Sequence, residues 1–302
     1  MASRSRGKNL DGDIVGLVPA AGRANRIAPL PCSKELYPIG FRNVGGADGL
    51  RPKVVSHDLL EKMRMAGVRK AYVILRQGKW DIPAYWGDGR MVGIDLAYVV
   101  IGGSSGPPDT IDRAYSFIKD KIVAFGFPDI LFRPADVFAK LLARLDRSGG
   151  DVVLGLFPAH DTKAMDMIDV DARRRVRAIQ LKPRKTGLKY AWVCAVWTPT
   201  FTEFLHRFLR GVKKRRNTGL IGNRRIDAAG DMPVGAVLRA AVQTKLTVEG
   251  VTFPTGRYLD IGTPEALSAA SRFSSFNRAA LTPCHVATPP QPRHKAEKKR
   301  PW

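Results

Sequence analysis

The sequence predicts an α/β fold: a mixed, mostly parallel sheet flanked by helices, with a smaller β-containing portion in its second half. Three observations predict it. From Asp13 to Phe157, apolar runs of strand length alternate with amphipathic helical patterns, the order that builds a parallel sheet covered on both faces. The first run, Ile14 to Val18, empties into Ala20, Ala21 and Gly22, residues too small to block a ligand at the end of a buried strand. Beyond Phe157 the alternation loosens into shorter strands, with a hairpin turn at Asp171-Ala172.

The elements follow in order. Val54 to Met65 carries the spacing of an amphipathic helix, and Lys70 to Leu75 (KAYVIL) reads as a strand. Ile94 to Val100 is a strand, Thr110 to Ile118 a helix, and Lys121 to Phe127 a short apolar strand ending at Pro128-Asp129. Pro134 to Leu145 predicts a helix with proline in its first turn, where a missing N–H costs nothing. Asp151 to Phe157 is again a strand. Met167 to Val170, Val176 to Leu181 and Lys189 to Thr198 read as strands, then Pro199 to Leu209 and Pro233 to Val242 as helices. Leu246 to Val251 and Arg257 to Asp260 are the last strands. Residues 1–12 read as a basic tail, 13–282 as the folded part and 283–302 as a basic, proline-rich tail.

Composition narrows the function. At 302 residues and 44% hydrophobic content the chain can bury a sizeable core, as one large α/β domain or two smaller ones. No apolar run approaches the ~20 residues of a membrane span, and MASRSRGKNLDGD lacks the apolar centre of a signal peptide; a cytoplasmic location is the expectation. Cys32, Cys194 and Cys284 are distant and odd in number, which argues against a disulfide framework or a zinc site. The net charge of +23 is partly internal: Arg173 to Lys189 and Arg207 to Arg225 each hold eight basic residues without an intervening acid. Such a field attracts phosphorylated metabolites, nucleic acid or an anionic surface. No zinc-finger or aromatic-interleaved basic motif supports nucleic acid, so a solvated basic face accounts for the charge as well.

Four residues stand out chemically. Arg26 and Lys34 follow the small-residue loop, and fixed cations behind a buried strand hold phosphates. Asp129 stands where a central strand ends, the usual ligand edge of an open α/β sheet. A carboxylate there suits Mg²⁺, which takes one or two protein carboxylates plus phosphate oxygens; it equally suits a turn or helix cap. Asp260 closes RYLD and precedes Gly262-Thr263-Pro264, in which Thr263 and Pro264 read as a helix N-cap and first position. Asp260 is thus a metal ligand or a pin for the turn. His57 and His160 read as structural or surface residues.

AAGRANRIAP followed by LPCSKELYPI resembles the opening motif of the sugar-nucleotide pyrophosphorylases, nucleotidyltransferases that join a nucleoside triphosphate to a sugar 1-phosphate. The glucose-1-phosphate thymidylyltransferase-like branch is nearest, through its S-K-x-L-x-P-I run. Four further blocks follow in the family's order: Arg51-Pro52 with the segment to Leu75, Tyr85 to Val99 (YWGDGRMVGIDLAYV), Lys182-Pro183, and Tyr258 to Leu267 (YLDIGTPEAL). The resemblance implies a Rossmann-like domain whose residues 13–150 bind nucleotide and 151–282 the sugar phosphate. It implies Arg26 and Lys34 as catalytic cations, Ala20, Ala21, Gly22 and Arg26 at the nucleotide, Lys182 on the acceptor's phosphate, and Asp129 and Asp260 on Mg²⁺. The partners it implies are a nucleoside triphosphate, a sugar 1-phosphate-like acceptor and, as is common in the family, further copies of the chain. The pattern also departs from the family. Ala24-Asn25 replaces Gly-Thr, Ile101 or a neighbour stands at the base-reading Gln, Thr110 to Ala114 replaces G-L-A-x-A, and Leu181 replaces the sugar-gripping Glu. These changes leave open a noncatalytic nucleotide- or sugar-binding paralogue.

Overall fold

The computed structural model describes residues 14–44, 49–217 and 232–275. Both basic tails lie outside the described residues, as do Cys284, Arg224 and Arg225. The elements run β1 (Ile14–Ala20), β2 (Pro38–Asn43), β3 (Leu50–Val54), α1 (His57–Met65), β4 (Lys70–Arg76), α2 (Asp81–Trp86), β5 (Asp95–Ile101), α3 (Pro107–Asp112), α4 (Tyr115–Ile118), β6 (Ile122–Gly126), β7 (Ile130–Arg133), α5 (Val137–Ser148) and β8 (Val152–Pro158). They continue with β9 (Met167–Val170), β10 (Val176–Gln180), β11 (Tyr190–Trp197), α6 (Pro199–Asn217), α7 (Val234–Gln243), β12 (Val248–Thr252), β13 (Arg257–Asp260) and α8 (Pro264–Ser275).

The central sheet is mixed and mostly parallel, as the sequence predicts. β5, β4, β1 and β6 lie side by side and parallel. β11 then runs antiparallel between β6 and β8, and β12 joins β8 in parallel. β8 follows β11 along its whole length, Tyr190 to Trp197, whereas β6 stops at Gly126, opposite Cys194. The edge of β11 that β6 vacates is taken by β9, through Ile168 opposite Tyr190 and Met167 opposite Ala191. The β9–β10 ribbon therefore sits just past the carboxyl end of β6.

Alternation along the strands sends side chains to two cores. Val15, Leu17, Val123 and Phe125 pack with Ile111 of α3, Phe201 and Leu205 of α6, and Val237 and Leu238 of α7. Val18, Ala20, Val73 and Ala124 pack with Leu59 and Met63 of α1 and with Phe138 and Leu141 of α5. Burial on both faces explains the nearly continuous apolar runs of β1, β6, β8 and β11. A third, smaller core of Ile39, Val55, Leu131, Ile261 and Ala270 holds β2, the β7–β13 pair and α8 against one end of the sheet. Among the described residues no helix is long and apolar enough to cross a membrane.

Several element boundaries differ from the sequence reading. Val54 closes β3, so α1 begins only at His57, whose Nδ1 accepts the Val54 N–H at 3.1 Å. Burial, with Arg42 and Lys53 nearby, lowers the pKa of that imidazole to about 3, in keeping with a structural histidine. The helix expected over 110–118 breaks at Arg113-Ala114 into α3 and α4. Pro134 starts no helix: β7 precedes it, and α5 begins at Val137. α6 continues past Leu209 to Asn217, where the basic run extends it. The hairpin at Asp171 is present, with Asp171 Oδ1 accepting the backbone N–H groups of Arg173 and Arg175, each at 2.9 Å.

Candidate active site

The site grows from the carboxyl end of β1. Ala20 is buried, Ala21 half-buried and Gly22 exposed, so the chain emerges from the sheet over these three residues. Lys79 fixes the emerging loop. Its ammonium donates to the carbonyls of Ala20 (2.8 Å) and Gly22 (3.3 Å) and to both carboxylate oxygens of Glu35 (2.8 and 2.7 Å). Glu35 is only 2% exposed. Burial pushes its carboxyl up and Lys79 pulls it back, leaving it above the usual range. Ser33 anchors the adjoining turn, its N–H and hydroxyl both donating to Asp81 at the start of α2, at 2.6 and 2.8 Å. Glu35, Lys79 and Asp81 escape sequence reasoning because their partners lie in other elements. A glutamate embedded in LYPI-type apolar sequence was the one signal available.

Lys34 is held on that turn and forms an ion pair with Asp129, both side chains being largely buried. Burial opposes the ammonium charge, yet Asp129, with Glu35 and Asp260, holds the Lys34 pKa above its ordinary value. Asp129 precedes β7 and Asp260 ends β13. These strands are antiparallel with Asp260 opposite Ile130, and the Ile261 N–H donates to the Asp129 carbonyl at 3.1 Å. One strand pair thus brings the two carboxylates together from distant parts of the chain. Burial first, and then the negative charge of Asp129, lifts the Asp260 carboxyl, against pulls from Lys34, the Gly262 N–H and Arg26.

Arg26 completes the group. A Cβ added at Gly262 would collide with Arg26 Nη2 and stand 3.0 Å from Asp260 Oδ1; glycine at this position is what lets the guanidinium lie beside the carboxylate. Asp260 also accepts the Gly262 N–H at 2.9 Å, and Thr263 Oγ1 caps α8 by accepting the Ala266 N–H at 3.2 Å. Both roles weighed for this motif therefore coexist: it starts a helix and it presents a carboxylate.

Of the residues singled out in the sequence, Arg26, Lys34, Asp129 and Asp260 converge beside Ala21-Gly22. Lys182 lies on the β9–β10 ribbon instead, just past β10, exposed and with φ of +39°. Ile101 is buried as the last residue of β5. Two neighbouring carboxylates flanked by cations fit Mg²⁺, which is held by few protein oxygens and completes its shell with phosphate and water. Among the described residues no set of three His, Cys, Asp or Glu ligands converges.

The model of the family described as Nucleotidyl transferase matches residues 15–275. The chain belongs to the nucleotidyl transferase family. Solved structures share its fold. A protein from Bacillus anthracis assigned as a glucose-1-phosphate thymidylyltransferase, in complex with sucrose, is 15% identical, with 86% of this chain and 95% of that one covered at a TM-score of 0.69. UDP-glucose pyrophosphorylase complexed with UDP-glucose is 16% identical, with 87% and 99% covered at a TM-score of 0.68. Its apo form is 16% identical, with 87% and 98% covered at 0.68. No curated protein sequence matches. The family assignment bears out the nucleotidyltransferase resemblance read from the sequence.

The transferase departs from its family's glycine at Ala24, which takes φ of +54°. An L-residue in that conformation is strained by about 1 kcal/mol relative to glycine. Ala24→Gly is therefore expected to raise the thermal midpoint by about 2–4 °C, read by calorimetry. A fall would show that Ala24 packs in a way the loop requires.

Proposed function

We infer that the chain transfers a nucleotidyl group from a nucleoside triphosphate to a sugar 1-phosphate, or a similar phosphorylated acceptor, with Mg²⁺ and release of pyrophosphate. The observation that carries this reading is the convergence of Arg26, Lys34, Asp129 and Asp260 at the carboxyl end of β1 and β6. An acceptor phosphate is already an anionic nucleophile at neutral pH, so no general base is needed. Its oxygen attacks the α-phosphorus in line, the bond to the bridging oxygen breaks, and pyrophosphate departs with the electron pair. The protein's task is to align two mutually repelling anions and neutralise their charge.

Arg26 suits the departing β- and γ-phosphates, since a guanidinium grips two oxygens at once. Lys34 is a compact charge suited to the α-phosphate, and takes up phosphate oxygen by giving up Asp129. Ala20, Ala21 and Gly22 allow the triphosphate to lie against backbone. Asp129 and Asp260 would hold Mg²⁺, which supplies charge neutralisation when bound. Lys182 would hold the acceptor's phosphate from the β9–β10 ribbon. A noncatalytic binding role is the second reading, favoured by Ile101 and Leu181 at positions where the family reads base and sugar.

The test is pyrophosphate release from each common nucleoside triphosphate with Mg²⁺ and a panel of sugar 1-phosphates. Release with one pair is expected. Triphosphate binding without release for any acceptor would favour the second reading. No triphosphate binding at all would overturn the transfer reading and leave the second, as a sugar-binding role.

A further inference from the structure

Asp166 is a buried carboxyl with an oxygen left over. It is 7% exposed, and among the described residues its Oδ1 has no hydrogen-bond partner. The carboxyl otherwise receives a long bond, 3.5 Å, from the Trp192 indole N–H to Oδ2 and a bond from the Lys182 backbone N–H. Burial raises its pKa, against the pull of Trp192, Lys182 and Arg239. An unpartnered buried carboxyl oxygen destabilises a fold by the desolvation of the group, and one kept in a native fold calls for a functional or solvent partner.

Its position points to one ligand. Asp166 immediately precedes β9, at the level of Trp192 in β11, in the step between the end of β6 and the start of β9. Trp192 packs against Phe127, two residues before Asp129. Lys182, at the same open end of the β9–β10 ribbon, acts on Asp166 through its charge and its backbone N–H. On the remaining side a Cβ at Gly235, in the first turn of α7, would collide with Asp166 Oδ2 and lie 2.9 Å from Leu181 Cδ2. Leu181 thus lies against the same wall and offers no polar atom.

We propose that Asp166 reads a hydroxyl of the phosphorylated acceptor, doing from the start of β9 what Leu181 cannot do from the end of β10. This rests on the transfer reading above: Lys182 takes the acceptor's phosphate, and Asp166 Oδ1 accepts a hydrogen bond from one of its hydroxyl groups. The acceptor is then a polyhydroxylated phosphate ester rather than phosphate alone. Asp166 is a specificity-determining residue and takes no part in bond making.

The experiment measures binding of glucose, galactose, mannose and N-acetylglucosamine 1-phosphates, each against inorganic phosphate, to the full chain with Mg²⁺ and nucleoside triphosphate. Wild type is compared with Asp166→Ala and Asp166→Asn, and each variant's thermal midpoint and triphosphate affinity are recorded. At least one ester should bind wild type more tightly than phosphate. In Asp166→Ala that advantage should fall about 10- to 100-fold, the range for a hydrogen bond to a charged group. Both variants should keep triphosphate affinity and melt no lower than wild type. An undiminished advantage in Asp166→Ala, or no advantage in wild type, overturns the proposal and leaves the transfer reading standing. Two variants melting well below wild type overturn it too, because Asp166 is then a structural group. Wild type that binds no triphosphate fails the transfer reading itself, and this inference with it.

Discussion

Asp260→Asn is expected to cut pyrophosphate release about a thousandfold, the scale on which loss of several kcal/mol of charge stabilisation acts. It should also raise the melting temperature of the ligand-free protein at neutral pH. Burial and the charge of Asp129 lift the Asp260 carboxyl above its ordinary value, so the native protein holds this proton more tightly than the unfolded chain does. The ionised group opposes folding above that raised pKa, and the penalty fades as pH falls through it. Asparagine carries no charge and can still accept the Gly262 N–H. The gain in melting temperature should therefore be present at pH 7 and shrink in acid. Activity within fivefold of wild type would remove Asp260 from the site, and a lower melting temperature at pH 7 would show that its pull on Arg26 outweighs its repulsion by Asp129.

The second large effect concerns Lys79. Lys79→Met leaves Glu35, 2% exposed, without the ammonium that both its oxygens contact. Breaking a buried pair on one side costs about 3–5 kcal/mol, and the thermal midpoint should fall by about 10 °C. The carbonyls of Ala20 and Gly22 lose their donor at the same time, so triphosphate affinity should drop as well. Lys79→Met with Glu35→Gln separates the two effects. It should recover most of the stability, because no charge is left buried, and little of the affinity, because the loop remains untethered. An unchanged midpoint in the single variant would mean that water reaches Glu35.

The pattern of what the sequence revealed has physical causes. β9 and β13 match their expected limits, and β1 and β4 nearly so, because their apolar residues are bounded by turn-forming or charged ones. Asp129 and Asp260 were identifiable as chemistry-bearing residues at strand ends. Their pairing was implied by the family resemblance alone, because the element that makes it is β7, four residues between Asp129 and Pro134, too short to show periodicity and stabilised by a partner far along the chain. The β2–β3 hairpin was missed for a related reason: its exposed faces carry Phe41 and Leu50 beside Arg42 and Arg51, which blurs alternation. Lys79 stands in no sequence pattern that marks it, and only the fold places it against a buried glutamate. Asp166 was invisible as a candidate, since one aspartate before a short strand is ordinary until its burial is known.

The β7–β13 pair also sets the order in which the protein becomes competent during synthesis. The loop with Arg26 and Lys34, and then Asp129, leave the ribosome early. Their counterpart arrives only with Arg257–Asp260, after every other strand among the described residues. A nascent chain halted before Arg257 carries the cations and one carboxylate but leaves the edge of β7 open, an exposed template for unwanted pairing. Docking of this late strand closes that edge and completes the charge cluster in one event, which ties the protein's protection from misassociation to the assembly of its candidate site.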